Sequence, residues 1–128
     1  MQTLVTNGIR ISVETKYQHS QSDALANRYI HSYRITISNE SSHEVQLLKR
    51  HWYIVNSKGI VREVEGDGII GKQPILAPGD SHQYVSWSPL NTDLGKMHGY
   101  YTFTKVKEEE FFSVHIPEFK LICPFKNN

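Results

Sequence analysis

The chain has 128 residues, 38% of them hydrophobic, with 14 basic against 13 acidic side chains and a formal charge of +1. Such a length suits one domain, residues 1–128, burying roughly two-thirds of its unfolded surface, and the balanced charge excludes long-range attraction to nucleic acid or an anionic membrane. A single cysteine, Cys123, excludes an internal disulfide. With no signal-like start at residues 1–8 and no apolar run long enough to span a bilayer, the expectation is a cytoplasmic chain that inserts in no membrane.

Along the chain the hydrophobic period is two. Ile9, Ile11 and Val13 alternate with Arg10, Ser12 and Glu14, and Tyr33, Ile35 and Ile37 alternate with Arg34, Thr36 and Ser38, the pattern of half-buried strands. Between them residues 20–27 read as a polar loop with one helical turn near its end, and residues 39–42 as a turn. Residues 44–56 are apolar on both parities, with Val45, Leu47, Tyr53 and Val55 on one and Leu48, Trp52 and Ile54 on the other. No single register satisfies both sets, so a bulge is expected there.

Ser57-Lys58-Gly59 turns the chain into a strand over 60–64, which leads to a glycine-rich stretch. Further strands are expected at 82–88, 100–106 and 111–116, with a last apolar stretch at 119–123, and with 89–97 and 107–110 as connections. This spacing predicts an all-β fold, an immunoglobulin-like or fibronectin type III-like antiparallel β-sandwich of about seven or eight strands. Trp52 is the candidate central core tryptophan. Exposed edge strands are compatible with either a monomer or a homodimer.

The glycine-rich stretch, Glu65-Gly66-Asp67-Gly68-Ile69-Ile70-Gly71-Lys72, fits GxGxxG and all but the last position of GxxxxGK[ST], where Gln73 stands in place of Ser or Thr. Glycines let successive N–H groups converge on an anion. A dinucleotide fold or a P-loop, however, needs a helix opening after the glycines. Here Pro74 and the turn Ala77-Pro78-Gly79-Asp80 follow instead, and the further motifs of a kinase are absent. Two readings remain: a tight β-connection needing positive φ, or a backbone nest for a phosphate or pyrophosphate formed by Gly66, Asp67, Gly68, Gly71 and Lys72, with Arg50 or Arg62 assisting. In the second reading Glu65 and Asp67 repel a polyphosphate unless a divalent cation bridges them.

No catalytic residue and no cofactor is expected. The seven histidines form no HxH, HxxxH or HExxH pattern, so spacing places no metal site. Cys123 precedes Pro124 without a histidine nearby in sequence and reads as a core residue. The pairs Tyr100-Tyr101 and Phe111-Phe112 lie in strands whose side chains alternate faces, so one of each pair must point outward. Outward aromatics beside a sandwich edge suit a protein partner.

Taken together, Val45-Gln46-Leu47, Arg50, Trp52, Gly59, the run from Val64 to Gly71, Pro74, Leu76-Ala77-Pro78-Gly79, Tyr84, Ser86, Leu90, Thr92, Gly95, Met97, Gly99 and Tyr101 resemble the bacterial ApaG family over nearly the whole chain. The resemblance implies a fibronectin type III-like sandwich, an indirect association with cobalt and magnesium resistance or efflux, and kinship with domains of eukaryotic F-box and polymerase-interacting proteins. It implies no established enzyme activity. The function expected is a non-enzymatic accessory module acting on an unidentified protein partner, the alternative being a binder of a pyrophosphate-containing nucleotide at the glycine stretch.

Overall fold

A computed structural model describes residues 1–124. The strands are β1 (Gln2–Thr6), β2 (Ile9–Tyr17), β3 (Tyr29–Asn39), β4 (Val45–Asn56), β5 (Val61–Asp67), β6 (Ile75–Leu76), β7 (Ser81–Leu90), β8 (Leu94–Lys105) and β9 (Glu110–Ile122). They form two antiparallel sheets, one ordered β1-β2-β3-β7 and the other β5-β4-β8-β9, with β6 pairing beside β4. The two sheets stack as a sandwich. Among the described residues the helical content is two short 3-10 turns, at His19–Gln21 and Ala24–Ala26, where the sequence predicts a single helical turn. No helix among the described residues is long and apolar enough to cross a membrane.

The period-two pattern decides which side chains meet. Ile9, Ile11 and Val13 of β2, and Tyr33, Ile35 and Ile37 of β3, face Leu47, Trp52, Ile54, Met97, Tyr101, Phe103, Val114 and Leu121 from the other sheet. Burying a large apolar side chain contributes about 1.5–3 kcal/mol, so this inter-sheet layer holds the fold together. Trp52 lies at its centre, with Phe119 edge-on at 5.9 Å and Tyr33 tilted at 5.4 Å between ring centroids.

The expected bulge in the fourth strand is present. Pairing with β8 shifts between Leu47 and Lys49, so Leu48 is the extra residue. This reconciles the two apolar parities, since Val45 and Leu47 point inward before the bulge and Trp52 and Ile54 after it. A second bulge lies at Pro117, where β9 carries three steps against two on β8. Proline has no N–H to give to a ladder, so a bulge is where a sheet tolerates it.

Three details depart from the sequence reading. The start of the chain forms β1, paired to β2 through a tight turn at Asn7 and Gly8, both at positive φ. Residues 94–97, expected in a connection, open β8, and the stretches expected at 111–116 and 119–123 are one bent strand, β9. Among the described residues the strand count is accordingly nine, one of them only two residues long.

Strands β1 and β2 close one side of the sandwich against β9. On the other side β5 and β7 are both edges, with a cleft between the sheets there. Arg62 Nη2 spans this opening, donating to the Pro89 carbonyl at 3.0 Å.

Candidate functional site

Strand β5 separates charge by parity. Its register with β4 pairs Arg50 with Gly66, His51 with Glu65, Trp52 with Val64, Tyr53 with Glu63 and Ile54 with Arg62. Because Trp52 and Ile54 face the core, Arg50, Arg62 and Gly66 lie on the inner face, whereas His51, Tyr53, Glu63, Glu65 and Asp67 lie on the outer one.

The glycine stretch begins inside β5 and ends in a hairpin-like turn. Gly66 is an ordinary strand residue whose missing side chain makes room for its neighbour: a Cβ there would stand 2.9 Å from both Nη atoms of Arg50. Gly68 has φ +60 and its Cβ would collide with the Lys72 carbonyl. Ile69 and Lys72 then exchange backbone hydrogen bonds of 2.8 and 2.9 Å around Ile70 (φ 47) and Gly71 (φ 71). Two consecutive positive φ values enclosed by such a pair define a type I′ turn. The bulge on β4 anchors it, because the Leu48 carbonyl accepts from Gly68 N–H at 2.7 Å and from Gln73 Nε2 at 3.0 Å. Arg50 Nη1 completes the anchoring by donating to the carbonyls of Asp67 (2.9 Å) and Gly68 (3.0 Å).

This geometry limits what the turn offers an anion. The amides of Gly68, Ile69 and Lys72 are already bonded to carbonyls, and those of Ile70 and Gly71 have no backbone partner among the described residues. Lys72 is exposed at the turn, while Glu65 and Asp67 belong to the outer face of the same strand.

On that outer face lies a row of rings. His51 stacks on Tyr100 at 5.1 Å and tilts against Tyr53 at 4.7 Å, and Tyr53 stacks on His98 at 5.1 Å. Each is half-buried. As expected from alternation, Tyr100 points out while Tyr101 is fully buried, and Phe111 is exposed while Phe112 packs on the core. Glu63 and Glu65 flank His51, with Glu63 Oε2 3.4 Å from Nε2 and Glu65 Oε2 3.7 Å from Nδ1.

His51, Glu63 and Glu65 thus bring one ligand atom each within 4.8 Å of one another. An imidazole with two carboxylates is a donor set that divalent first-row metals accept. Local spacing could not reveal this cluster, since its members lie on two strands; the signal is the register that sets His51 opposite Glu65. A shallow groove of about 290 Å³ joins this cluster to the glycine stretch, lined by Arg50, His51, Glu65, Gly66, Asp67 and Tyr100.

The inner face holds a different chemistry. Tyr84 and Tyr101 share a short hydroxyl–hydroxyl hydrogen bond between the sheets. Burial raises both phenols well above the ordinary range, so both stay neutral donors and acceptors. Cys123 is buried, as expected of a core residue, and its Sγ lies 4.0 Å from the Pro124 carbonyl.

The sequence model of the ApaG domain matches residues 19–105. The Protein ApaG of Brucella abortus strain S19 is 47% identical over 124 residues, covering 97% of this chain and 95% of that protein. The Protein ApaG of Mesorhizobium japonicum is 46% identical over the same length and coverage. Among solved structures, an ApaA protein from Bordetella pertussis superposes with a TM-score of 0.87 at 38% identity, covering 92% of this chain and 95% of that one.

Proposed function

The chain belongs to the ApaG domain family, and from that premise we propose that it is a non-catalytic, cytoplasmic accessory module that acts by holding a protein partner. Its association with cobalt and magnesium resistance is then indirect. The observation that carries this reading is the outer row Tyr53, His98, His51 and Tyr100, an aromatic strip on the uncovered face of the β5-β4-β8-β9 sheet. Cross-strand aromatic pairs contribute about 0.2–1 kcal/mol each to a sheet, so part of the row's role is structural. Aromatic groups ringed by charge are also the usual anchors of protein interfaces, and here Glu63 and Glu65 form a charged rim suited to a basic group on the partner.

Affinity capture from cell extract tests this with three forms of the chain. Wild type and Phe111→Ala should retain the same partner, and Tyr53→Ala/Tyr100→Ala should lose it while keeping its thermal transition. Retention by the double variant would place the interface elsewhere.

One observation favours a second reading. The His51, Glu63 and Glu65 cluster opens onto the groove beside Gly66 and Asp67, so a divalent cation held there would offset the acidic groups that otherwise repel a pyrophosphate from Ile70, Gly71 and Lys72. This reading predicts saturable pyrophosphate binding only with magnesium or cobalt present, abolished by His51→Ala and weakened by Lys72→Ala. Calorimetry showing the same heats with and without cation would contradict it.

A further inference from the structure

The open side of the sandwich, between edges β5 and β7, contains a cleft of about 260 Å³. Its walls include Tyr33 and Trp52 together with two guanidinium groups, Arg50 and Arg62, and no carboxylate. Both arginines come from inward-facing positions of β4 and β5, where a sandwich normally places apolar residues. Arg50 is half-buried and is seated there by the absence of a side chain at Gly66.

We infer that this inter-sheet cleft is a binding site for a small organic anion, its oxyanion head on Arg50 and Arg62 and its apolar or planar body against Tyr33 and Trp52. Three observations converge on it. The first is charge: two positive groups face a cavity whose lining residues carry no negative one. The second is unspent donors. Arg50 uses Nη1 on the loop carbonyls and Arg62 uses Nη2 on Pro89, while the Nε and remaining Nη of each make no hydrogen bond to the described residues. Guanidinium N–H groups set in fork geometry match phosphate or carboxylate oxygens.

The third observation comes from the opposite wall. Ser88 is 4% exposed, lines the same cleft, and its Oγ has no hydrogen-bond partner among the described residues. A buried hydroxyl without a partner is unfavourable, and because this Oγ is shielded from solvent, a ligand oxygen in the cleft would satisfy it as Ser88 rotates toward it. Inward charges also protect sheet edges from unwanted pairing. Edge protection, however, asks only for charge; it requires neither two arginines on one cavity nor an unpartnered hydroxyl across from them. The site is independent of the outer aromatic row, which lies on the other face of the same sheet.

Of the chain's two tryptophans, Trp52 faces this cleft and Trp87 lies on the outward parity of β7, so a change in intrinsic fluorescence on binding reports occupancy through Trp52. The experiment titrates the full chain, excited beyond the absorption of the probes, with phenyl phosphate, inorganic phosphate and benzyl alcohol. The expected result is a saturable change with phenyl phosphate, a weaker one with inorganic phosphate and none with benzyl alcohol. Arg62→Gln, an exposed position that does not threaten folding, should weaken phenyl phosphate at least tenfold, and Ser88→Ala a few-fold. Lys72→Ala should leave binding unchanged.

Absence of a saturable change up to about 10 mM, or equal binding by Arg62→Gln, would overturn the inference. So would loss of binding in Lys72→Ala with retention in Arg62→Gln, which would put the anion on the glycine turn. A variant Arg62→Gln that binds normally but dimerises would assign that arginine to edge protection and overturn it as well.

Discussion

At the scale of single residues, the glycine stretch rests on one strained position. Ile70 has φ 47 at the first central position of a type I′ turn, where a β-branched residue is out of place and where Asn or Gly is the ordinary occupant. Left-handed backbone costs an L-residue roughly 1–2 kcal/mol. Ile70→Asn is therefore expected to raise stability by about 1 kcal/mol in urea unfolding, with a higher midpoint and an unchanged slope; a loss of stability would show that the exposed Ile70 side chain contributes more than its backbone costs. The sequence reading foresaw positive φ among these glycines, and Gly68 and Gly71 have it. It could not foresee Gly66, whose role is to clear space for Arg50. That requirement arises from a neighbour 16 positions away and leaves no local trace.

Among the elements, β4 organises the molecule, and its bulge sets what each face presents. Leu48 is the residue that switches parity, so that Trp52 and Ile54 turn inward and His51 and Tyr53 outward. Its carbonyl also anchors the turn after β5. Deleting Leu48 should force the strand into one register and move either Leu47 or Trp52 out of the core. The expected outcome is loss of the cooperative thermal transition, whereas Leu48→Ala, which keeps the extra residue, should cost about 1 kcal/mol or less at this half-exposed site. Equal stability of the deletion and the substitution would contradict this role for the bulge.

Alternation made most strands legible: β2, β3, β4 and β7 fall close to where the sequence places them. Two boundaries were hidden for physical reasons. The start of the chain alternates weakly because β1 is an exposed edge, and its plain signal was the Asn7-Gly8 pair that favours a type I′ hairpin. The unity of β9 was masked by Pro117, which marks a bulge inside the strand and not its end.

The whole molecule is tuned by groups that its core keeps neutral. His31 is 1% exposed, its Nε2 has no partner among the described residues, and burial lowers its pKa from the ordinary 6.5. Unfolding therefore takes up a proton once the pH falls below 6.5, because the unfolded imidazole is charged where the folded one is not. Stability from this group is fully present above that pH and declines as the pH falls, by at most about 1.4 kcal/mol per unit, until the lowered folded value is reached. Thermal melts from pH 7.5 to 5 should show this decline in the wild type and a shallower one in His31→Phe; parallel curves would remove His31 from the account.

At this scale the sandwich was readable from strand spacing, but the site was not. The two faces of the β4–β5 pair, with Glu63, Glu65 and Asp67 outside and Arg50 and Arg62 inside, follow from a pairing register that sequence periodicity leaves free.

The outer face of the β5-β4-β8-β9 sheet is the protein interface proposed for this chain. The most direct measurement is photo-crosslinking in living cells, with a photoreactive phenylalanine analogue at position 53 in the aromatic row or at position 111 on the exposed end of β9. One discrete adduct with another protein is expected from position 53, lost when Tyr100→Ala is added, and none from position 111. No adduct from position 53, or one indifferent to Tyr100→Ala, would contradict it.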